Sequence, residues 1–355
     1  MKELFLLAIV IMVFVVIFQI AKASEYVSVL KGEEKTRKQN NKINGFLLIA
    51  FLIFGLIGVY VCNEWFFHKT LFPQGSASVE GEKIDFMLYL TIGVTGFIFI
   101  ITQILLFWFA FKYQEKEGKK AFFFPHNTKL ELLWTTVPAI FLTILVVFGL
   151  INWFKITGTP PDNAIVVEIT GHQFAWEMRY PGKDGILGKK NYRLYNKPSG
   201  NTLGVDFEDI NSLDDIHTQQ MHLPVGIPVK LVIGAQDVIH DVGLVHFRMK
   251  MDAVPGIPTT LWFTPLYTTE QMKVRSGNPN FVYELSCDQI CGKGHFSMRG
   301  VIIVESEEDY RKYLATLDPE YWTIFPDKKP KSSNSASLDS VKSKTPLAAI
   351  MSVSK

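Results

Sequence analysis

Residues 287–298 read CDQICGKGHFSM and place two thiols, an imidazole and a thioether within one short segment. Thiolate, imidazole and a weak axial thioether form the soft ligand set of copper electron-transfer sites. Cys291, His295 and Met298 match the ligand loop of a mononuclear copper centre, which also needs an upstream histidine. His240, the last residue of a DVIH sequence, is the candidate for that ligand. The segment therefore predicts a copper site.

Cys287 adds a second thiol four residues before Cys291. Two thiolates at this spacing can bridge two copper ions, so that each metal has two shared sulfurs and one imidazole. Two coppers that share one electron spread the change of charge over both metals and both sulfurs, which suits a fast relay. Three other interpretations stay open: a short disulfide outside the cytoplasm, a zinc site, for which Met is a poor ligand, and incidental packing of His and Met.

The region that contains this segment has a β pattern. Its short apolar or alternating stretches are Ala164–Thr170, Gln173–Tyr180, Pro228–Ala235, Thr259–Thr264, Phe281–Ser286 and Gly300–Glu305. β-branched and aromatic residues dominate them and Gly or Pro separates them, which predicts a β-sandwich or barrel. Residues 181–220 are polar and are expected to form a surface excursion, whose acids are either solvated or a docking site. Residues 326–355 are predicted to be a disordered tail.

The first part of the chain has the pattern of a membrane protein. Four apolar runs occur, at Leu4–Ala21, Phe46–Cys62, Phe86–Phe111 and Leu132–Ile151. Each is close to the roughly 20 residues that an α-helix needs to cross a bilayer. A buried core helix is the alternative for any single run. The net charge of +2 is too balanced to indicate nucleic-acid binding.

Lysine and arginine predict the orientation of these runs. The first and third connections are rich in Lys and Arg, whereas residues 63–85 carry only Lys69 and Lys83. By the positive-inside rule the two basic connections are cytoplasmic. The N-terminus, residues 63–85 and everything after Trp153 are then expected outside. The alternative is signal-peptidase cleavage near residues 21–23, which would leave a basic segment outside and the C-terminal domain in the cytoplasm.

Taken together, the motifs resemble those of cytochrome c oxidase subunit II. The Cys-x-x-x-Cys-x-x-x-His-x-x-Met pattern at 287–298 resembles the binuclear copper (CuA) loop of that family. DVIH at 237–240, KMDAVPG at 250–256 and GHQFAW at 171–176 match further family motifs, and ELLWTTVPA at 131–139 matches the opening of its second helix. The resemblance runs from about Phe86 to about Leu314, with the motifs in the family's order.

The apolar runs, the composition and the resemblance together imply the architecture. We expect an α+β membrane protein, with four N-terminal transmembrane helices, then a cupredoxin-like Greek-key β-sandwich and a disordered tail. The expected divisions are two extra helices at 1–63, the family's helical hairpin at 86–151, the copper domain at 160–315 and the tail at 326–355. The role of the extra helices is open, since the family's minimal form has two. The protein is expected in the bacterial plasma (inner) membrane, multi-pass, with its N-terminus and copper domain on the periplasmic side.

The resemblance also implies the ligands. Two copper ions would be held by Cys287, Cys291, His240, His295, Met298 and the backbone carbonyl of Gln289. The two cysteines would bridge both metals, His240 and Met298 would complete one copper, and the remaining two ligands the other. The family usually has Glu at position 289, and that side chain helps to bind magnesium at the interface with the catalytic subunit. Gln is a weaker ligand for this hard cation, which puts magnesium in doubt, with Asp288 as a substitute.

Two further positions carry expected roles. The family usually receives the electron from cytochrome c at the first Trp of Trp-x-Trp, which is Phe174 here, whereas Trp176 keeps the second position. We expect the electron still to arrive above Phe174. Glu131 falls where the family has a carboxylate at the mouth of a proton path. The alternative is an ordinary acid at a helix start, favoured by the helix dipole.

The function implied is an oxidoreductase subunit that takes electrons from cytochrome c and passes them to a separate haem–copper subunit, which reduces oxygen to water and moves protons. Its partners would be subunit I, other oxidase subunits, cytochrome c and membrane lipid. Three other classes of protein are the alternatives. The first is nitrous oxide reductase, which has a similar copper domain attached to a large His-rich domain. A quinol oxidase subunit lacks the copper ligands, and copper-handling proteins usually lack the Trp-x-Trp neighbourhood. No Cys-x-x-Cys-His sequence occurs, so no attached c-type haem is expected.

Overall fold

The computed structural model describes residues 2–71, 73–116 and 118–329. Four long helices come first, and each contains a stretch apolar and long enough to cross a membrane. They are α1 (Lys2–Lys31), α2 (Glu33–Phe66), α3 (Val79–Lys112) and α4 (Thr128–Thr157). The four apolar runs predicted to be helical are therefore confirmed as helices. From residue 330 on, the predicted tail lies outside the described residues.

The basic connection between the first two runs is also helical. Helix α1 continues beyond the apolar run to Lys31, and α2 begins two residues later. Gly32 alone separates them, with φ 86° and ψ 140°, a conformation that glycine adopts without a steric penalty. Lys, Arg, Glu and Gln are good helix formers, so this polar segment extends α2 by several turns before its apolar part begins at Phe46.

Helix α3 starts where the chain meets the sandwich. The Ser78 hydroxyl accepts a hydrogen bond from Gly81 N (3.0 Å), as an N-cap residue does, and donates one to the Phe247 carbonyl (2.7 Å). A Cβ on Gly81 would lie 2.5 Å from that same carbonyl oxygen. Glycine at this position therefore allows the first turn of α3 to lie directly against the chain that follows the strand ending at Leu244.

The chain divides into two compact units. The first comprises the chain up to Met178 together with Gln219–Tyr310, and the second comprises Arg179–Thr218 and the segment that begins at Arg311. The strands are β1 (Ile165–His172), β2 (Ala175–Tyr180), β3 (Ile216–Thr218), β4 (Met221–Pro224), β5 (Val229–Ala235), β6 (His240–Leu244), β7 (Met249–Ala253), β8 (Thr259–Phe263), β9 (Tyr283–Cys287) and β10 (Arg299–Glu305). The later helices are α5 (Thr269–Ser276), α6 (Glu307–Thr316) and α7 (Glu320–Ile324).

In the first unit the strands form two mixed sheets. One has the order β2-β1-β5-β8 and the other β4-β10-β9-β6-β7. Strands β1 and β5 are parallel, as are β4 and β10, whereas β9 pairs antiparallel with both β6 and β10. Fully buried side chains come from both sheets, among them Ile169, Leu231, Ile233, Val242, Tyr283, Leu285 and Ile302. The predicted β-sandwich is confirmed, and its predicted strands are all present.

The second unit contains most of the polar excursion, and its acids are used within the unit. Asp215 is buried and contacts the Arg179 guanidinium at 2.7 Å. The Asp209 carboxylate accepts hydrogen bonds from Lys189 N (3.0 Å) and Asn211 N (3.3 Å). Such bonds stabilise turns of a loop. These contacts indicate that Asp215 and Asp209 stabilise the loop itself, and they do not favour a docking site.

Charged groups at the membrane end of the first unit join the helices to the sandwich. Glu80, on the first turn of α3, is buried, and its carboxylate lies 3.3 Å from Lys155 Nζ near the end of α4. The other carboxylate oxygen accepts a hydrogen bond from Thr264 N (2.9 Å). Trp262 Nε1 donates to the Lys155 carbonyl (2.8 Å). Glu80, a buried acid on α3, thus contacts the end of α4 and Thr264, the residue after β8.

We expect Glu80→Ala to destabilise the first unit by about 1–3 kcal/mol, because Thr264 N and the Lys155 ammonium would lose a buried acceptor. Unfolding of the full chain in detergent, followed by near-UV circular dichroism, measures the effect. Glu82→Ala is the matched control, since Glu82 is exposed on the same turn of α3 and its loss should change stability by less than about 0.5 kcal/mol. Equal effects of the two substitutions would contradict this role of Glu80.

Candidate metal centre

Three neighbouring strands bring the predicted ligands to one end of the sandwich. His240 is the first residue of β6, Cys287 the last of β9, and Met298 immediately precedes β10. In the β6–β9 ladder Val242 lies opposite Cys287. Cys287 N also donates to the Met298 carbonyl (3.2 Å), which closes the base of the loop 288–298. Strand pairing therefore places both ends of this loop next to His240.

Cys287 lies at the centre of one group of contacts. Its Sγ atom is 3.8 Å from His240 Nδ1 and 3.8 Å from Cys291 Sγ. The Gln289 carbonyl oxygen is 3.2 Å from the same sulfur. The two sulfurs are far beyond the roughly 2.0 Å of a disulfide bond, and both cysteines are free. These distances do not support the disulfide alternative.

Cys291 brings in the remaining two predicted ligands. Its Sγ atom lies 3.6 Å from His295 Nδ1 and 3.8 Å from Met298 Sδ. The structure therefore gathers two imidazole nitrogens, a thioether and a carbonyl around the two cysteine sulfurs. His240, Cys287 and Cys291 also have ligand atoms that all lie within 4.8 Å of one another, the separation that a shared metal requires.

Most of the cluster is buried and is electrostatically suited to a soft cation. His240, Cys287, Cys291 and Met298 are all buried. Burial and the adjacent Cys287 thiol raise the pKa of Cys291 to about 11. A positive ion must therefore compensate for two neighbouring thiolates, and its binding releases their protons. Sulfur, imidazole and thioether donors together fit copper, whereas a thioether is foreign to zinc sites.

Asp237 orients one of the imidazoles. Its Oδ1 atom lies 2.8 Å from His240 Nε2, so that Nδ1 of the ring faces the sulfurs. Its oxygens also accept hydrogen bonds from Gln173 N and Val238 N, both at 2.7 Å. Although burial opposes ionisation, these bonds hold the pKa of Asp237 below its usual value. Sequence reasoning quoted Asp237 only as part of a motif and did not identify this role.

Phe174 covers the loop. A Cβ built on Gly294 would lie 2.5 Å from its ring, and one on Gly292 would lie 3.2 Å away, so both glycines permit this close approach. The neighbouring Gln173 amide donates to the Cys291 carbonyl (2.6 Å). Phe174 remains 38% exposed. This residue is thus both part of the surface and in contact with the loop that carries the cysteines.

Trp176 occupies a different position from Phe174. It is only 3% exposed, and its ring packs edge-on against the His240 ring with centroids 5.9 Å apart. Among the described residues its Nε1 has no hydrogen-bond partner. Trp176 therefore cannot present a contact surface to another protein, although it lies directly beside a predicted ligand.

The residues considered for magnesium have other contacts. Asp288 lies 2.8 Å from Lys250 Nζ and accepts a hydrogen bond from the Ser286 hydroxyl at 2.8 Å. Burial opposes its ionisation, but these two partners hold the pKa of Asp288 below its usual value. The Gln289 side chain is exposed while its carbonyl faces Cys287. Asp288 as a substitute magnesium ligand stays a prediction, and an ammonium already occupies its carboxylate.

Glu131 lies far along the chain from this cluster, on the first turn of α4. Its Oε1 atom accepts a hydrogen bond from Asn127 N (3.2 Å), while the Asn127 side chain accepts one from Leu130 N (3.1 Å). This reciprocal arrangement caps the helix start. The geometry accounts for Glu131 as a capping acid, and its role in a proton path stays a prediction.

The site and its scaffold define a class: a membrane-anchored, cupredoxin-like domain with a copper-type Cys/His/Met cluster. Sequence comparison agrees, since the profile of "Cytochrome C oxidase subunit II, periplasmic domain" matches residues 165–306 and that of its "transmembrane domain" matches residues 65–151. The alternative cytochrome c oxidase subunit 2 of Bradyrhizobium diazoefficiens is 35% identical over 270 residues, which are 76% of this chain and 90% of that protein.

A second relative, cytochrome c oxidase subunit 2 of Cereibacter sphaeroides, is 27% identical over 68% of this chain and 78% of its own length. Among solved structures, the periplasmic domain of subunit II of cytochrome oxidase (CoxB) of Bradyrhizobium japonicum matches with 24% identity and a TM-score of 0.30, covering 44% of this chain and 96% of its own. The chain belongs to the cytochrome c oxidase subunit II family, and it is a membrane-bound subunit of a haem–copper oxidase complex.

We expect Asp237→Ala to weaken copper binding by about 10–100-fold, the usual cost of removing a group that orients a metal-ligating imidazole. Competition between the full chain and a chelator of known copper affinity gives the value. Asp162→Ala is the control, because Asp162 is an exposed acid of the same unit. If both variants bound copper as tightly as the unsubstituted chain, the orienting role of Asp237 would be wrong.

Proposed function

We propose that this chain is the electron-accepting subunit of its oxidase complex and holds a binuclear CuA centre. Cytochrome c would be the donor, and subunit I, which carries haem and copper, would be the acceptor. The observation that carries the proposal is the convergence of four further donor groups on two cysteine sulfurs 3.8 Å apart. A mononuclear copper site would leave one thiol and the Gln289 carbonyl without a role, although both face the cluster.

In this proposal the ligands have distinct tasks. When copper is bound, Cys287 and Cys291 would be held in common by both metals, His240 and Met298 would complete one ligand set, and His295 with the Gln289 carbonyl would complete the other. When bound, the copper pair would accept one electron and pass it on. The chain's contribution is rigidity, since strands β6, β9 and β10 position the buried side chains of His240, Cys287 and Met298, which limits rearrangement when the charge changes.

The surface around the loop fits a transient redox partner. Apolar side chains are exposed on the loop itself, on the segment before His240 and at the position covering the loop: Ile290, Phe296, Val238, Ile239 and Phe174. Weak electron-transfer complexes use small interfaces of this kind. We propose that cytochrome c docks here and that the electron arrives above Phe174. Trp176, buried beside His240, would then act on the inner side and not as a contact surface.

We further propose that this surface faces the periplasm, with the N-terminus on the same side. Two observations support this orientation. The two basic connections join α1 to α2 and α3 to α4, so four membrane-spanning helices place both connections on the same side, which the positive-inside rule assigns to the cytoplasm. The matching family profile is also described as a periplasmic domain. For Glu131 we keep proton uptake as a hypothesis. Its role in capping the start of α4 is the alternative explanation.

We expect Cys287→Ser to abolish oxidation of reduced cytochrome c by the purified oxidase complex, because a hydroxyl cannot replace a bridging thiolate. Turnover is followed by cytochrome c absorbance, and haem absorbance verifies assembly of the complex. Cys62→Ser is a matched control, since Cys62 is an exposed thiol of α2, and its turnover should be unchanged. Full turnover of the Cys287→Ser complex would contradict the proposed electron path.

A further inference from the structure

A cavity of about 570 Å³ lies between helices α2 and α3, far along the chain from the copper ligands. Four lysines line it: Lys38 and Lys42 from α2, and Lys112 and Lys116 from the end of α3 and the residues after it. Phe46 and Trp108 provide its apolar wall. The cavity thus combines a cluster of ammonium groups with aromatic surface, and neither the copper site nor the family motifs account for it.

The cavity lies at the end of α3 that is remote from the sandwich. Helix α3 begins at Val79, beside the sandwich, and Lys112 is its last residue. Its 34 residues extend about 50 Å at about 1.5 Å per residue, more than the roughly 30 Å of a bilayer core. Lys112 therefore reaches the opposite membrane surface. On α2, Lys42 stands one turn before Phe46, where the apolar run starts.

Close contact between the two helices builds the cavity. Gly45 is buried, and a Cβ at this position would collide with the Gln114 side chain. The rings of the next residue, Phe46, and of Phe111 on α3 meet edge to face with centroids 5.2 Å apart. Phe46 is nevertheless 55% exposed and Trp108 48% exposed. The two helices thus close one side of the cavity and leave Phe46 and Trp108 half exposed beside the lysines.

The local charge is positive. Glu115 also lines the cavity, but it contacts Arg37 at 3.4 Å, and both side chains are exposed. Lys38 contacts Glu34 at 3.0 Å on the exposed face of α2. Exposed ion pairs of this kind are weak and are screened by salt. Four lysines and one acid line the cavity itself, which leaves an excess of positive charge facing it.

We propose that this cavity binds the headgroup of an anionic phospholipid from the leaflet opposite the copper domain. The lipid phosphates would contact the lysines, and an acyl chain would lie along Phe46 and Trp108. Basic pockets between membrane helices bind such headgroups. Aromatic side chains such as Trp108 are frequent at the membrane–water interface, at the level of the lipid headgroups. The extra helix α2 would then serve to hold lipid against α3. The proposal does not depend on copper or on electron transfer.

The test uses the full chain in its purified oxidase complex, transferred to detergent with phosphatidylglycerol or phosphatidylcholine and analysed by native mass spectrometry. We expect retention of phosphatidylglycerol only. The variant Lys42→Gln/Lys112→Gln/Lys116→Gln should bind it about a hundredfold more weakly, since each lysine contributes about a factor of five. The corresponding Lys→Arg variant should retain it. Lys119→Gln/Lys120→Gln/Lys129→Gln is the matched control, as these exposed lysines follow α3 without lining the cavity.

Several outcomes would overturn the proposal. Equal loss of lipid in the two Gln variants would mean a general effect of charge and not a site. Equal retention of the two lipids would remove the role of the headgroup. Displacement of the lipid by millimolar inorganic phosphate would indicate a simple anion site. If the other subunits of the complex shielded Lys42 and Lys112 from an amine-reactive reagent, whether or not lipid is present, the cavity would be a protein contact instead.

Discussion

The pairing of β6 with β9 is the interaction on which the metal centre depends. It sets Val242 opposite Cys287 and so places His240, two residues earlier on β6, next to the first cysteine. A slip of one residue would turn these side chains to the other face of the sheet. The pairing of β9 with β10 then fixes the other end of the loop at Met298. These two registers set the positions of His240, Cys287 and Met298, and the loop between Cys287 and Met298 supplies the other donors.

A second constraint concerns charge. Two thiols lie 3.8 Å apart in a buried site, where burial and their proximity keep the pKa of Cys291 near 11. The site is stable as a pair of thiolates only when cations compensate for them. At the other end of the sandwich the buried carboxylate of Glu80 is paired with Lys155. The same rule, that buried charge needs a partner, thus shapes both the copper end and the membrane end of the first unit.

The side chains that gather in the Cys/His/Met cluster and the four long helices could be predicted from the sequence, because soft donors at fixed spacing and long apolar runs are local signals. Strands β4, β6 and β7 could not, since they are short, and polar residues such as His222, Asp241 and Lys250 interrupt their apolar pattern. The basic segment before Phe46 was interpreted as a connection, yet it is helical because its charged residues favour helix. The contacts of Asp237 and Glu80 join distant parts of the chain, and sequence spacing does not reveal them.

We propose that the loop 287–298 and His240 together hold two coppers that share one electron. Electron paramagnetic resonance of the copper-loaded full chain distinguishes this site from a mononuclear one. A single unpaired electron spread equally over two copper nuclei gives a seven-line hyperfine pattern, and we expect that pattern together with two coppers per chain. A four-line pattern with one copper per chain would show a mononuclear centre, and the binuclear proposal would be wrong.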